Sequence, residues 1–136
     1  MLNSRTVIPI RYVETDRMGV VHHSNYPIYF EAGRSDFFMQ HLIHYHEMEA
    51  RGLFAPILEL QMEIKGRASY GDTLILTTLP AWLKGLKLSM RYEIMLENGA
   101  PVARGETVHA LCGRDLRPLH PRNFRDLYTL LERVFK

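Results

Sequence analysis

The sequence predicts an α+β domain in which one long helix lies against a curved antiparallel sheet. Three observations predict it: a helical apolar period after residue 24, strand-like segments between residues 57 and 112, and tight turn signals between those segments. One helix cannot cover both faces or both edges of such a sheet. We therefore expect the chain to self-associate through strands or a sheet face.

The first element is predicted to be a strand from Arg5 to Val13, a segment rich in Val, Ile and Tyr. Pro9 within it has no backbone N–H, which favours an edge position or a bulge. An irregular stretch from 14 to 23 follows, and it contains Gly19.

The long helix is predicted to begin at Ser24 or Asn25, both good N-cap residues, and to run to about Glu47. Its buried face is predicted at offsets of 0, 4, 7 and 11 residues: Tyr26, Phe30, Gly33 and Phe37. A glycine inside a helix costs about 1 kcal/mol relative to alanine. Gly33 therefore indicates that another backbone approaches the helix closely.

Four more strands and a short helix follow, and the strands are predicted to form an antiparallel meander. The predicted strands are 57–65, 73–83, 87–96 and 102–112, and the helix spans 121–135. Turns are predicted at Tyr70-Gly71-Asp72, Lys84-Gly85 and Asn98-Gly99. The last pair is typical of hairpins, because both residues tolerate a positive φ.

Composition limits the possible function classes. The chain has 136 residues, 46% hydrophobic and 24% charged, with a net charge of +2. These values predict one globular domain over residues 1–136 and give no electrostatic case for nucleic acid or an anionic membrane. A single cysteine excludes an intrachain disulfide. Because the N-terminus lacks a signal peptide and no apolar run approaches the roughly 18 residues of a membrane span, we expect a cytoplasmic protein.

The segment with the most chemical information is 12–34, YVETDRMGVVHHSNYPIYFEAGR. Asp16 lies in the irregular loop before the helix N-terminus, where up to four unpaired N–H groups and the helix dipole can stabilise an oxyanion. A carboxylate there can act as general base or nucleophile. The structural alternative is that Asp16 caps a turn, Gly19 supplies a positive φ, and Ser24 caps the helix.

This segment resembles the signature of the 4-hydroxybenzoyl-CoA thioesterase family of hotdog-fold proteins. It is most similar to the acyl-CoA thioesterase branch associated with the Tol–Pal cluster. The matching pattern is Tyr-x-Glu-Thr-Asp-x-x-Gly-Val-Val-His-His-x-Asn-Tyr-x-x-x-Phe-Glu-x-x-Arg. The resemblance implies a hotdog fold, a long central helix wrapped by a curved sheet of about five strands. It also implies a homodimer or dimer of dimers that hydrolyses acyl-CoA without a metal or redox cofactor.

The resemblance implies roles for individual residues of the segment. Asp16 matches the family's catalytic carboxylate, which attacks the thioester carbonyl or activates water. His23 matches the residue whose backbone N–H polarises that carbonyl. Gly19 would let the loop pass close to the acyl group, and Tyr26 would lie near the pocket. His22 stands where close relatives carry an aromatic residue, so it bears on acyl preference.

Glu31 is a reserve catalyst, because another hotdog branch carries its catalytic carboxylate on this helix. Its structural alternative is an ion pair with Arg34 or with a basic residue of a neighbouring strand.

The phosphates of coenzyme A require cations, and the basic cluster predicted to bind them consists of Lys84, Lys87 and Arg91. The resemblance supports this hairpin, since the family often binds the nucleotide there at a subunit interface. Lys65 and Arg67 are a second option, and a solvated charged turn is the structural alternative.

Three histidines near the predicted helix end invite a metal interpretation: His41, His44 and His46. Helical geometry directs His46 away from the other two, and there is no HExxH motif or second cysteine to complete a site. We therefore expect no metal. Cys112 is predicted to be a buried strand residue rather than a nucleophile.

The sequence thus predicts a thioesterase that hydrolyses acyl-CoA to free CoA and a carboxylic acid, with Asp16 as base or nucleophile. Two alternatives remain open: a non-catalytic acyl-binding or scaffold hotdog protein, and a hydratase-type hotdog enzyme that would use His23. One helix-and-sheet unit has little length for a closed nucleotide pocket, so we expect the CoA site to be shared between protomers.

Overall fold

A computed structural model describes residues 2–135 and shows a five-stranded sheet wrapped around a long helix. The strands are β1 (Ser4–Pro9), β2 (Ile57–Ile64), β3 (Thr73–Lys84), β4 (Lys87–Leu96) and β5 (Pro101–Ala110). The helices are α1 (Asn25–His41), α2 (Tyr45–Ala50) and α3 (Arg125–Phe135), with 3-10 turns at Tyr12–Glu14 and Pro121–Phe124. All neighbouring strands are antiparallel. The predicted hotdog fold is confirmed.

The order of strands in the sheet is β1-β3-β4-β5-β2. Strands β3, β4 and β5 form the predicted meander, but the placement of β2 in that meander is wrong. It lies at the far edge, where Gln61 pairs with Glu106 of β5. Apolar alternation identifies a strand but does not say which edge it joins. The first strand is also shorter than predicted, because residues 12–14 turn into a 3-10 helix instead of continuing to Val13.

The long helix ends at His41 rather than near Glu47, and α2 is a separate element. In a continuous helix, residues 34 and 45 would be about 16 Å apart along the axis. Instead the hydroxyl of Tyr45 accepts a hydrogen bond from Nε of Arg34 at 3.1 Å, and the ring of Tyr45 lies 4.7 Å from that of Phe38. The chain therefore turns back at Leu42 to bury Tyr45 against α1.

The predicted apolar face of α1 is buried, and it packs on strands β3 and β4 of the sheet. The ring of Phe30 stacks on Tyr92 of β4, with 4.5 Å between the ring centroids. Complete burial of one such side chain stabilises the fold by about 1.5–3 kcal/mol. At Gly33 a side chain would collide with the side chains of Leu76 and Thr78. The close neighbour of Gly33 is therefore a pair of side chains, not the backbone that the sequence predicted.

The edge strand β2 leaves much of its apolar surface uncovered. Its exposed apolar residues have relative exposures between 38% and 53%: Ile57, Leu58, Leu60 and Ile64. Exposed apolar edges of this kind are a common site of self-association. Within residues 2–135, no helix is both long enough and apolar enough to cross a membrane.

Candidate active site

The loop that carries Asp16 is closed by short hydrogen bonds. Asp16 Oδ1 accepts the N–H of Met18 at 2.8 Å, and the carbonyl of Asp16 accepts the N–H of Gly19 at 2.9 Å. Gly19 has a φ of +80°, which confirms the positive φ of the structural alternative. Asp16 is only partly buried, and its second oxygen, Oδ2, makes no hydrogen bond or ion pair with residues 2–135. One carboxylate oxygen therefore holds the turn and the other is available for chemistry.

The start of α1 offers one unpaired N–H rather than four. The N–H of Ser24 donates to Nδ1 of His22 at 3.2 Å. The N–H groups of Asn25 and Tyr26 donate to the carbonyls of residues 22 and 23, at 3.0 and 3.3 Å. In the described chain, the N–H of His23 has no such partner. It is the main-chain group that the resemblance assigned to polarising the thioester carbonyl.

The two histidine side chains before the helix are exposed, and their rings are tilted by 30° to each other with 4.2 Å between the ring centroids. Nδ1 of His22 accepts the Ser24 N–H, so the proton of a neutral His22 ring lies on Nε2. The ring of His23 makes no ion pair with any described acid. The main-chain N–H of His23 is therefore better suited to a catalytic role than its side chain.

A buried carboxylate beside the loop was not anticipated from the sequence. Glu14 is 6% exposed. Burial raises the pKa of Glu14, but hydrogen bonds from Arg11 and Tyr29 and the charge of Arg11 outweigh that effect and hold the pKa below its ordinary value. Tyr29, which donates to Glu14 at 2.9 Å, has a raised pKa, first because of its burial and then because of this bond.

Of the other predicted residues of α1, Tyr26 lies beside the loop, since its N–H donates to the carbonyl of His23, whereas Glu31 pairs with Arg34 of the same helix. Tyr26 is buried in the core at 2% exposure, with its ring edge-on to Tyr29 at 5.9 Å. Glu31 is exposed and lies 3.8 Å from Nη2 of Arg34, the ion pair that was its structural alternative. Both Glu31 and Arg34 line a cavity of about 120 Å³. Their contacts do not bring them to the Asp16 loop.

The predicted basic cluster is only partly assembled. Lys84 and Lys87 face each other across the β3–β4 hairpin, and Nζ of Lys84 lies 5.2 Å from the centre of the Trp82 ring. Neither lysine has an acidic partner among the described residues. Arg91, by contrast, is 3.6 Å from Glu106. Of the second option, Lys65 is held by Glu63 at 2.9 Å, whereas Arg67 forms no such pair within residues 2–135.

The Asp16 loop and the lysine hairpin lie at opposite ends of β3. Ile10, before the loop, donates its N–H to the carbonyl of Asp72, and Val21, after Asp16, donates its N–H to the carbonyl of Ala68. Both acceptors lie just before β3, which begins at Thr73, so the loop lies beside the start of β3. Lys84 is the last residue of this 12-residue strand. At ~3.3 Å per residue, the two ends of β3 are roughly 36 Å apart along the strand. The two predicted parts of the site are therefore not brought together within one protomer.

The three histidines do not form the arrangement that was predicted. Nε2 of His41 contacts the carbonyl of Asn3 at 2.8 Å, while the rings of His44 and His46 are 5.1 Å apart. The prediction that His46 points away from His44 is wrong, because the helix breaks between His41 and His44. No group of three His, Cys, Asp or Glu side chains in residues 2–135 could hold a metal ion. Cys112 is buried as predicted, and burial raises its pKa, with Asp115 adding to the shift.

A second polar network, also missed, crosses the middle of the sheet. The hydroxyl of Tyr92 accepts from Nη1 of Arg34 at 3.1 Å and lies 2.6 Å from Oγ1 of Thr107. Nε2 of His109 is 2.8 Å from Oγ1 of Thr107. Burial lowers the pKa of His109 to about 4, so its ring is neutral near pH 7. Because this network is buried and its groups are paired, it holds α1 on the sheet.

Comparisons with known proteins agree with this architecture. Over 135 residues the chain is 29% identical to "Putative acyl-CoA thioesterase YneP" of Bacillus subtilis, with 98% of each chain covered. A crystal structure named DHNA-CoA thioesterase, from Staphylococcus aureus, has a TM-score of 0.92 and 31% identity over 98% of this chain and 91% of that one. The hypothetical protein TT1821 of Thermus thermophilus has a TM-score of 0.88 and 38% identity, with 97% of both chains covered.

A family model also matches most of the chain, over residues 10–126. The matched region contains the Asp16 loop, the central helix and strands β2 to β5. The model does not distinguish branches of the family, so the resemblance to the 4-hydroxybenzoyl-CoA and Tol–Pal branches stays a prediction. The protein belongs to the Thioesterase-like superfamily.

Proposed function

We propose that the protein hydrolyses an acyl-CoA thioester to free CoA and a carboxylic acid. One observation carries the proposal: Asp16, a carboxylate with a free oxygen, lies in the loop before α1, and the unpaired N–H of His23 follows directly after the Glu14–His22 hydrogen bond that closes this loop. A base or nucleophile and an oxyanion donor are the two groups that thioester hydrolysis needs. The names of the relatives from B. subtilis and S. aureus support the same reaction.

In the general-base route, Asp16 Oδ2 removes a proton from water while the water oxygen bonds to the thioester carbon. The carbonyl electrons move to oxygen, and the His23 N–H and the positive end of α1 stabilise that charge. Collapse of the intermediate breaks the C–S bond, and the CoA thiolate takes the proton. In the nucleophilic route, Asp16 Oδ2 bonds to the thioester carbon, and the C–S bond breaks to release the CoA thiolate. Water then cleaves the resulting anhydride, which releases the carboxylic acid and restores the Asp16 carboxylate.

The position of the cations implies that the working site is shared between two protomers. A pantetheine arm has about the reach of five extended residues, roughly 17 Å. It cannot link the Asp16 loop to Lys84 and Lys87 of the same chain, about 36 Å away along β3. If two copies pair through their β2 edges about a two-fold axis, the sheets run antiparallel, so the hairpin of one copy and the loop of the other lie at the same end of the joined sheet. The exposed apolar residues of β2 favour this homodimer.

The most direct test is a thiol-release assay over a panel of aliphatic and aromatic acyl-CoAs, with the variant Asp16→Asn. The asparagine retains an oxygen that can accept the Met18 N–H, so the loop should survive. We expect kcat to fall by at least about a hundredfold, the usual effect of removing an acid/base group. Asp115→Asn is the matched control. Elsewhere in the chain, Asp115 accepts the N–H of Arg117, two residues later, at 3.1 Å, which is the same kind of turn that Asp16 makes with Met18.

Four results would contradict the proposal. Full activity in Asp16→Asn would exclude this residue as the catalyst. Turnover of an enoyl-CoA without thiol release would favour the hydratase. Binding of acyl-CoA without turnover by the wild type would favour a non-catalytic acyl-binding protein. Equal losses in the Asp16 and Asp115 variants would mean that the turn, and not the carboxylate, matters.

A further inference from the structure

We propose that Glu14 is a positioning residue, which sets Asp16 relative to the unpaired N–H of His23. This inference rests on the proposed function. It concerns a residue that touches neither of the two catalytic groups with its side chain. Its evidence is the set of contacts that Glu14 makes on both sides of the loop.

The carboxylate of Glu14 links the start of the loop to the body of α1. Oε1 accepts the N–H of Arg11 and the hydroxyl of Tyr29, both at 2.9 Å. Oε2 accepts Nε of Arg11 at 3.0 Å and lies 3.0 Å from its Nη2. Tyr29 is a buried residue in the second turn of α1. The side chain of Glu14 therefore fixes the chain two residues before Asp16 to the helix.

The main chain of Glu14 fixes the other end of the loop. Its carbonyl accepts the N–H of His22 at 2.9 Å and Nδ2 of Asn25 at 3.0 Å. His22 precedes the residue with the free N–H, and Asn25 is the first residue of α1. Glu14 is thus bonded on both sides of the 16–23 segment. A shift of the Glu14 backbone would change the separation between Asp16 and the His23 N–H.

Glu14 itself is not suited to be the base. It is 6% exposed, and both of its oxygens already accept hydrogen bonds. Because every partner of the carboxylate offers a hydrogen, Glu14→Gln is an informative change. An amide of the same shape replaces one acceptor oxygen with an NH₂ donor, and that donor would face the donors of Arg11 or the hydroxyl of Tyr29. The loop must then shift or lose a bond.

The test measures kcat, KM and unfolding in Glu14→Gln, Tyr29→Phe and Tyr92→Phe. We expect kcat of Glu14→Gln to fall roughly tenfold with KM within about twofold, since a small displacement of a reacting group can cost this much. Tyr29→Phe removes one of the bonds to Glu14 and should give a smaller fall in kcat. Tyr92→Phe breaks a buried network away from the loop, so it should lower stability and leave kcat unchanged.

The pH profile distinguishes positioning from proton transfer. In Glu14→Gln the acid limb of kcat/KM should keep its midpoint, because the proposed base, Asp16, is unchanged. Loss of that limb would make Glu14 the base and overturn the inference. A kcat within twofold of the wild type, or equal kcat losses in Glu14→Gln and Tyr92→Phe, would also overturn it. In both of these cases an inactive Asp16→Asn would leave the proposed function intact, whereas a wild type without thioesterase activity would remove the basis of both.

Discussion

The two ends of β3 differ in how their functional side chains are held. At the first end, the Asp16 loop is tied to α1 by the buried Glu14 and by main-chain hydrogen bonds. At the other end, Lys84 and Lys87 are exposed, and neither has an acidic partner within residues 2–135. A group that reacts must be held to a fraction of an ångström, whereas a cation that attracts a phosphate need not be. The difference is consistent with the proposed function, which assigns the chemistry to the loop and phosphate binding to the hairpin.

The largest effect on stability is expected in the middle of the sheet, between the two ends. Tyr92→Phe removes the hydroxyl that accepts from Arg34 and contacts Thr107. Leaving such buried partners unpaired costs about 1–3 kcal/mol of unfolding free energy. Chemical denaturation measures this loss, and the thiol-release assay should give an unchanged kcat. A large fall in kcat at temperatures where the variant is folded would contradict the claim that this network stabilises the fold without taking part in catalysis.

The next largest effect is expected on the KM for acyl-CoA, when the charges of the β3–β4 hairpin are reversed. Reversing both charges, in Lys84→Glu with Lys87→Glu, should raise KM for acyl-CoA about tenfold and leave kcat nearly unchanged. Charges near the surface act through attraction that salt screens, so the difference from the wild type should shrink at high ionic strength. Steady-state kinetics at two salt concentrations measure both quantities.

Arg67→Glu provides the matched comparison for the hairpin variant. Arg67 is one residue from Ala68, which contacts the Asp16 loop of the same chain. If KM rises in Arg67→Glu and stays constant in the hairpin variant, the nucleotide binds beside the loop and the comparison fails.

The smallest expected effect is the contribution of Glu14, at the loop end of β3, to the change of unfolding free energy with pH. The pKa of Glu14 is lower in the folded chain than its ordinary value of 4.5. A carboxyl of this kind stabilises the fold above its unfolded pKa, and that contribution is lost as the pH falls through the folded pKa. Below about pH 4.5, the unfolding free energy of the wild type should therefore fall more steeply than that of Glu14→Gln. Parallel curves in a pH series of denaturation experiments would contradict it.

Much of the fold follows from short-range patterns. The spacing of Phe30, Gly33 and Phe37 identified the buried face of α1, and Asn98-Gly99 identified a hairpin. The edge position of β2 could not be predicted, because its alternation is the same beside either neighbour. The end of α1 depends on a contact between Arg34 and Tyr45 that needs the folded chain.

The site divides in the same way. Asp16 and the helix start were predicted from a local pattern, a loop carboxylate before an apolar helix, together with the family resemblance of residues 12–34. The catalytic role of Asp16 stays a prediction. Glu14 was missed, since a glutamate in an irregular segment gives no periodic signal and its partner Tyr29 is 15 residues away. The separation of Asp16 from Lys84 became evident only from the sheet, because strand order determines which loops share an end.

The central claim is that one working site takes the Asp16 loop from one copy and the lysine hairpin from another. A complementation experiment tests it directly: Asp16→Asn and the Lys84→Glu, Lys87→Glu variant are co-expressed with different tags, and the mixed dimer is purified. If sites are shared, one of the two sites in that dimer is fully wild type, and thiol release at low acyl-CoA should recover to about half the wild-type rate. If each chain holds its own site, both sites are defective, and a rate no higher than the average of the two parent variants would contradict the claim.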